Sequence, residues 1–393
     1  MNKAIPSYEV DLYSDAVMDN PLPHYRAIRD IGPVVWLSAN NLFAMGRYAD
    51  VKAGLRNAEV FSSGQGIAAN DISNQLIAGA FTLTTDAPLH NKLRKVLAAP
   101  LLRNALEVHR ERIEKAAEDL VADLLVRGRF DGVADFAQVL PLSVVSFLVG
   151  LPEEGRQDML KWATAGFNLS GPLNDRAAAA QPMMAAMQQY FAENCIPAKL
   201  APDGWAARLY KLVETGEITP EECRMMLIDY SVPSLDTTIS ATGELLLQLA
   251  KNPALWEEIK ADPSLISGAV DEAVRLGSPV FSFTRLTTQE HEIDGFVIPQ
   301  GSRVAMIYAS ANRDEREWEA PDTFNPRRPK VSEHLGFGSG PHMCAGRHLS
   351  RLEMEALLKA MVGRVNTIEL LGETPRVRNN IIRAYASLPV RFV

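Results

Sequence analysis

The 393-residue sequence is poor in cysteine and has no long uncharged apolar run. Its three cysteines, Cys195, Cys223 and Cys344, show no C-x-x-C spacing, which argues against a disulfide framework and against a zinc site. The start of the chain lacks the apolar core of a signal peptide, and no apolar run approaches the roughly 18 residues that a membrane span needs. We therefore expect a soluble cytoplasmic protein in which Cys195 and Cys223 are small buried hydrophobes.

The sequence also lacks an excess of positive charge. Its 40 Lys and Arg residues against 48 Asp and Glu residues give a formal net charge of −8. General binding to nucleic acid or to an anionic membrane needs a cationic face, so this balance argues against both partners. No G-x-G-x-x-G segment opens a helix after a strand, so neither a flavin nor a nicotinamide site is apparent.

No linker, repeat or low-complexity segment divides the chain, so we predict one domain over residues 1–393. The spacing of apolar residues predicts a mainly α fold. The predicted helices cover 45–60, 88–126, 135–150, 153–168, 176–215, 220–250, 253–276 and 346–362. Hairpin-like segments at 33–45, 285–310 and 378–393 predict small mixed β-sheets beside the helical part.

One predicted helix is long enough to cross the molecule. It begins at a capping box, Thr219-Pro220-Glu221-Glu222, and extends to about Lys251, which gives about 45 Å at 1.5 Å per residue. Pro233 lies inside it, where proline removes a backbone hydrogen bond and costs about 3 kcal/mol. We therefore expect a kink at Pro233.

The strongest chemical signal is the run FGSGPHMCAG, residues 337–346, followed by a predicted helix. Its glycines and proline build a tight loop in which backbone N–H groups approach the sulfur of Cys344, and the following helix directs its positive end toward it. Both effects stabilise a thiolate, the form of cysteine that ligates iron. The alternative is a structural buried cysteine in a glycine-rich turn, and the length of the patterned run, ten residues, argues against it.

This run resembles the haem-binding signature of the cytochrome P450 family, F-x-x-G-x-[HR]-x-C-x-G, at every fixed position. The resemblance implies the cytochrome P450 fold, with haem b between the long helix and the cysteine loop. Cys344 is then the axial ligand of the iron, and Phe337 and Gly338 also contact the cofactor. The implied activity is that of an O2-dependent monooxygenase.

Two further matches resemble structural and cofactor-binding features of the family. Glu272 and Arg275, with Arg328, resemble its buried Glu-Arg-Arg triad, although Arg327 is an alternative third member and an E-x-x-R pair alone is usually a solvated salt bridge. The resemblance also assigns four residues to the two haem propionates, each of which alone reads as a commonplace surface base. These residues are His90, Arg94, Arg285 and His342.

Asp236 and Thr237 resemble the family's acid and alcohol pair, which delivers protons during oxygen activation. The alternative is that these polar residues only satisfy hydrogen bonds within the helix. The sequence departs from the family just before the pair, where Pro233-Ser234-Leu235 replaces the usual small residues. We expect Pro233 to pre-open the oxygen-binding groove and Ser234 to add a hydroxyl beside it.

The resemblance implies that electrons come from a two-iron two-sulfur ferredoxin with a separate NAD(P)H-dependent reductase. Five arginines on helices expected beside the thiolate are candidates for docking that partner, and the alternative is that they are simply solvated. They are Arg103, Arg110, Arg112, Arg347 and Arg351.

The whole chain looks most like bacterial members that O-demethylate or hydroxylate small para-substituted aromatic molecules. The expected roof of the pocket, residues 61–85, has Asp71 as its one charged residue before Asp86, which favours a neutral substrate over a carboxylate. The candidate pocket residues are Phe167, Asp229, Pro233, Ser234, Phe281 and Phe283, with Ser282 as a further hydrogen-bonding group. Alternatives are a biosynthetic P450 acting on a larger terpenoid or polyketide, and a non-catalytic haem sensor or carrier.

Overall fold

The computed structural model describes residues 3–393 as a large helical mass with three small sheets. The helices of the first half are α1 (Asp15–Asp19), α2 (Leu22–Ile31), α3 (Tyr48–Arg56), α4 (Asp71–Ile77), α5 (Leu89–Ala98), α6 (Arg103–Leu106), α7 (Arg110–Arg127), α8 (Val139–Val149), α9 (Met159–Leu169) and α10 (Asp175–Asn194). Those of the second half are α11 (Trp205–Glu214), α12 (Pro220–Ser231), α13 (Asp236–Lys251), α14 (Pro253–Ala261), α15 (Ile266–Gly277), α16 (Tyr308–Ala311) and α17 (Arg347–Val362).

The strands are short and come from distant parts of the chain. They are β1 (Ser7–Tyr8), β2 (Val35–Leu37), β3 (Leu42–Met45), β4 (Phe61–Ser62), β5 (Arg129–Asp131), β6 (Ser282–Thr287), β7 (His291–Ile293), β8 (Phe296–Ile298), β9 (Arg303–Ile307), β10 (Ile368–Leu370) and β11 (Pro389–Phe392). The six-stranded sheet has the order β1-β2-β3-β9-β6-β4, and it contains both parallel and antiparallel pairs. The other two sheets have the orders β10-β11-β5 and β7-β8.

Prolines divide two of the predicted helices. The segment predicted at 88–126 stops after α5, where Pro100 lies in a 3-10 turn, and resumes as α6 and α7. Pro263 likewise separates α14 from α15 within the segment predicted at 253–276. Each proline removes a backbone donor, so the helix stops nearby.

The long helix predicted over 219–251 is two helices. It begins at the predicted capping box, in which the Thr219 hydroxyl accepts from the Glu222 N–H, but α12 ends at Ser231 and a 3-10 turn, Val232–Ser234, precedes α13. The break lies at Pro233, as expected, because the ring leaves the Asp229 carbonyl without a helical donor. The interruption is stronger than the kink that we predicted.

The strand predictions are partly right. The hairpin at 33–45 is present as β2 and β3. In the segment 285–310, β8 and β9 flank Pro299 to Gly301 but lie in different sheets, since β8 pairs with β7 across an Asp294-Gly295 turn. The C-terminal hairpin at 378–393 is wrong, because β11 pairs with β10 and β5 instead.

The largest hydrophobic core lies among α7, α8, α12, α13, α15 and α17. One segment, Gly132–Val149, is long and apolar enough to cross a membrane by composition alone, but 61% of it is buried inside this core. Its apolar character is therefore explained by packing within the protein. The core holds α13 and α17 on either side of the candidate site.

Candidate active site

A cavity of about 890 Å³ lies between the α12–α13 junction and the cysteine loop. The roof is formed by α4 and the turn after it, together with parts of α9 and α10. Most of the lining surface is apolar, with leucine, isoleucine, valine, methionine and phenylalanine as its main contributors, and polar side chains also face the interior. This combination is typical of a site for a small molecule or an organic cofactor.

The cysteine loop is held open toward the cavity by its own backbone. Gly340 has a φ of 72°, and a Cβ there would lie 2.5 Å from the Leu55 carbonyl oxygen, so only glycine fits against the end of α3. The Cys344 N–H donates to the Phe337 carbonyl at 2.8 Å, which closes the loop just before α17 begins. Both Phe337 and Gly338 line the cavity beside Cys344.

The Cys344 side chain is exposed, but to the interior of the cavity that it lines. Burial raises the pKa of its thiol, whereas the backbone N–H of Gly346 and the nearby guanidinium groups of Arg94 and Arg347 oppose that rise. The two other cysteines are buried away from the cavity, where burial raises the pKa of Cys195 to about 12 and that of Cys223 to about 11. Cys344 is therefore the one cysteine placed to ligate a cofactor.

Four basic side chains meet in the cavity next to the cysteine loop. They are His90, Arg94, Arg285 and His342. Within residues 3–393 none of the four forms an ion pair with a carboxylate. Arg94 donates to the Met343 carbonyl, and Arg285 donates to the Thr284 carbonyl and lies beside the Tyr308 hydroxyl.

The two histidines of this group lie against each other, and neither has a carboxylate partner. The His90 and His342 rings lie 4.2 Å apart, and the buried Nε2 atom of His90 has no hydrogen-bond partner among the described residues. Burial, followed by repulsion from Arg285, His90 and Arg94, lowers the pKa of His342 to about 3. Two arginines and two histidines without a carboxylate partner are suited to an anionic ligand, and the two carboxylates of haem match that requirement.

Glu272, Arg275 and Arg328 form a buried ion triad that stabilises the approach to the cysteine loop. Arg275 donates to both oxygens of Glu272, at 2.7 and 2.8 Å, and Arg328 donates to the same carboxylate at 2.9 Å. The structure thus places Arg328 in the triad, whereas Arg327 is exposed and lies near Glu258 and Asp262. Breaking such a pair would leave an uncompensated buried charge.

Asn312 connects this triad to the cysteine loop. Its carbonyl accepts from Arg275 at 2.6 Å, and its side-chain oxygen accepts from the Leu335 N–H, also at 2.6 Å. On the other side, α15 approaches the segment 325–328 closely, because a Cβ on Gly268 would lie 2.0 Å from the Pro326 carbonyl oxygen. The triad therefore fixes the segment from which the cysteine loop starts.

Asp236 and Thr237 occupy the first turn of α13 but face different surroundings. Thr237 lines the cavity, and its hydroxyl donates to the Pro233 carbonyl at 2.8 Å. Asp236 is buried outside the cavity lining and accepts a 2.8 Å hydrogen bond from the Thr164 hydroxyl on α9. Burial raises the pKa of Asp236 to about 7, so this carboxyl group exchanges its proton near neutral pH.

The predicted pocket residues separate into two groups. Phe167, Asp229, Pro233, Ser234 and Phe283 line the cavity. Phe281 does not, because its ring packs against Tyr13 and Tyr25 in a separate core, so its assignment to the pocket is wrong. Asp71 and Ser282 are also absent from the lining.

Sequence reasoning missed several residues of the site. Glu353 on α17 lines the cavity, is fully buried, and has a pKa raised well above its usual range because of that burial. Thr164, which contacts Asp236, carries no motif at all. Helical spacing places Glu353 on the same face of α17 as Leu349, four residues earlier, which also lines the cavity, but nothing in the sequence indicates that Thr164 approaches α13.

The cavity, its thiol and its unpaired cations define a haem-thiolate site in a mainly α protein. Comparison with known proteins then gives the family: the model for cytochrome P450 matches residues 203–376. Cytochrome P450 CYP199A2 from Rhodopseudomonas palustris is 37% identical over 391 residues, which cover 99% of this chain and 95% of that protein. The chain belongs to the cytochrome P450 family.

Two other relatives show how broad this family is. The steroid C26-monooxygenase of Rhodococcus jostii is 28% identical, over 97% of this chain and 83% of that protein. The crystal structure of the Tepidiphilus thermophilus P450 heme domain is 27% identical, with a TM-score of 0.84 over 97% of this chain and 96% of that one. The protein is thus a cytochrome P450 monooxygenase that uses haem b, O2 and electrons from a redox partner.

Bound haem supplies the iron chemistry that activates O2 and inserts one of its atoms into an organic substrate. Cys344 would hold the iron of bound haem, and His90, Arg94, Arg285 and His342 would hold its carboxylates. Elsewhere in the lining, Thr237 keeps a hydroxyl at the cavity surface, and Asp236, the preceding residue, carries a carboxyl group that exchanges its proton near neutral pH. The apolar lining excludes bulk water from the cavity.

Proposed function

We propose that this cytochrome P450 inserts one oxygen atom into a small neutral aromatic molecule, by O-demethylation of a methyl ether or by hydroxylation. The observation that carries the proposal is the distribution of charge around the cavity. Its lining contains five basic residues, of which four would hold the haem carboxylates, and the fifth, Arg224, is paired with Glu221. No described cation is left for the carboxylate of an acidic substrate, whose burial would cost several kcal/mol.

The shape of the apolar lining supports an aromatic substrate. Phe167 and Phe283 offer flat faces to the cavity, and Pro233 and Val232 at the helix break add further apolar surface. Aromatic rings pack well against such faces by edge or offset contacts. Ser234 gives its hydroxyl to the Tyr230 carbonyl at 2.8 Å, so it contributes little free hydrogen-bonding capacity to the substrate.

The experiment is a spectral titration of the haem-loaded protein with 4-methoxyphenol and with 4-methoxybenzoate. Displacement of the water on the iron shifts the absorption spectrum, so both affinities are measured directly. We expect the neutral phenol to bind more tightly and to give the larger shift, followed by its demethylation in a reconstituted system. Tighter binding and a larger shift with the benzoate would overturn the proposal.

A larger apolar substrate is a second candidate, and one observation favours it. The rim of the cavity carries exposed apolar side chains, with Ile72 at 58%, Leu76 at 77% and Leu173 at 56% exposure. A terpenoid or polyketide that extends past the rim would cover them. Including a monoterpene and a steroid in the same titrations separates this candidate from the first.

For electron supply we propose a two-iron two-sulfur ferredoxin with a separate reductase, acting in the cytoplasm. Of the five arginines expected at the thiolate face, Arg110 is paired with Glu107 and Arg351 with Asp271. Arg103, Arg112 and Arg347 have no ion pair among the described residues, which suits an acidic partner. Reversing the charge at Arg112 should slow reduction by a surrogate ferredoxin, most strongly at low salt.

A further inference from the structure

Asp229 is an acidic residue in an otherwise apolar wall of the cavity. It lies in the last turns of α12, one helical turn before Pro233, and it lines the cavity. Its Oδ2 atom accepts a hydrogen bond from the Thr82 N–H at 3.0 Å, which connects α12 to the roof. Its Oδ1 atom retains access from the cavity, and the Thr82 hydroxyl is the one further described donor beside the carboxylate.

Beyond Thr82, the described residues give the Asp229 carboxylate no hydrogen-bond donor. No cation lies within ion-pair distance, and Arg94, the nearest one that influences it, is directed to the Met343 carbonyl. Burial raises the pKa of Asp229 to about 6, so the group is mainly ionised at neutral pH. A half-buried carboxylate whose protein donors all come from one residue keeps spare acceptor capacity toward the cavity, and a donor on a bound molecule would use it.

We propose that Asp229 is a specificity-determining residue that accepts a hydrogen bond from an O–H or N–H donor on the substrate. The inference rests on the proposed function, since it names the polar group that the aromatic substrate carries. A phenol and a protonated amine both present such a donor. Ethers without a donor, and carboxylates, do not satisfy Oδ1.

The contact with Thr82 makes this inference unusually easy to test. In Asp229→Asn the side-chain oxygen must stay at the Thr82 N–H, because the amide nitrogen cannot accept that hydrogen bond. The NH2 group then replaces Oδ1 at the cavity surface. The substitution therefore converts the free acceptor into a donor while the contact between α12 and the roof is retained.

The experiment measures dissociation constants of three ligands by spectral titration. They are 4-methoxyphenol, 4-methoxybenzylamine and 1,4-dimethoxybenzene, which differ in the donor and share the methyl ether. For the wild type we expect the better of the two donors to bind about tenfold or more tightly than the dimethoxybenzene, as for a hydrogen bond to a charged group. For Asp229→Asn we expect that ratio to fall to about one.

Asp71→Asn is the matched control, because Asp71 is an exposed acid on the roof helix α4 that does not line the cavity. It should retain the wild-type ratio, and retention of the red-shifted carbon-monoxide band shows that each variant is folded. An unchanged ratio in Asp229→Asn, or no donor preference in the wild type, overturns the inference. Demethylation of the dimethoxybenzene in that case leaves the proposed function standing, whereas failure of all three aromatics to bind overturns both.

Discussion

The hydroxyl of Thr164 donates a 2.8 Å hydrogen bond to Asp236, and this contact joins α9 to the first turn of α13. Among the described residues no cation forms an ion pair with Asp236, so Thr164 is its main polar partner. The acid therefore holds its proton up to a pH of about 7 because of burial. An exchangeable proton therefore lies on the residue that precedes Thr237 in the first turn of α13.

Asp236→Asn should stabilise the folded protein at neutral and alkaline pH. The carboxyl group ionises near pH 4 in the unfolded chain and near pH 7 in the folded one, so the folded chain holds an extra proton between these values. Wild-type stability consequently falls as the pH rises through this window, at about 1.4 kcal/mol per pKa unit, and asparagine does not titrate. Urea unfolding at several pH values measures the difference, and a constant difference from pH 5 to 8 would contradict the assignment.

Thr237→Ala should uncouple NADH consumption from product formation. The variant retains the cavity and the thiolate, but it loses the hydroxyl that faces the substrate space. We expect substrate binding within a few-fold of the wild type and a large diversion of oxygen to hydrogen peroxide. The ratio of product to NADH is the measurement.

Ser234→Ala is the matched control for this substitution, since the Ser234 hydroxyl also lines the cavity and makes the same kind of hydrogen bond, to the Tyr230 carbonyl, but lies outside the Asp236–Thr237 pair. It should couple nearly as well as the wild type. If Thr237→Ala couples normally, the proton passes through another hydroxyl, such as that of Ser234 or Thr238.

Cys344→Ser should abolish the strongly red-shifted absorption of the reduced carbon-monoxide complex. Serine retains the size of the side chain but provides no thiolate at the cavity floor. Cys223→Ser serves as the control, because Cys223 is buried away from the cavity and should leave the band unchanged. Survival of the band in Cys344→Ser would falsify the ligand assignment.

Glu272→Gln should destabilise the protein severely. It leaves Arg275 and Arg328 buried without their shared counter-charge, and breaking a buried pair costs about 3–5 kcal/mol. Arg327→Gln removes a neighbouring exposed cation and should change stability by no more than about 0.5 kcal/mol. Denaturation midpoints of the two haem-loaded variants make the comparison, and equal midpoints would show that the triad contributes little.

The sequence predicted the parts of the site that lie close together along the chain. The residues that shape the cysteine loop all lie within 337–346, and the capping box at Thr219 marks the observed start of α12. The break at Pro233 was also foreseeable, because proline removes a specific backbone donor. Local chemistry of this kind depends on few long-range contacts.

What the sequence could not supply depends on tertiary packing. Phe281 lies just before β6 and Phe283 lies within it, and strand alternation would put residues two positions apart on the same face. Only the tertiary packing decides that Phe283 lines the cavity and that Phe281 packs against Tyr13 instead. Similarly, the contact of Thr164 with Asp236 joins residues 72 positions apart. Periodicity carries no information about either pairing.

The roof over the cavity is built from a different stretch of the chain than the ion triad and the cysteine loop around Cys344. Residues 266–360 supply the triad and the cysteine loop, whereas α4 and parts of α9 and α10 supply the roof. Mutation of one stretch therefore leaves most contacts of the other intact, which is the condition under which additive effects are expected. The enzyme is accordingly suited to recombination: a roof grafted from a relative should redirect substrate choice while the iron keeps its ligand, and directed evolution can concentrate on the roof.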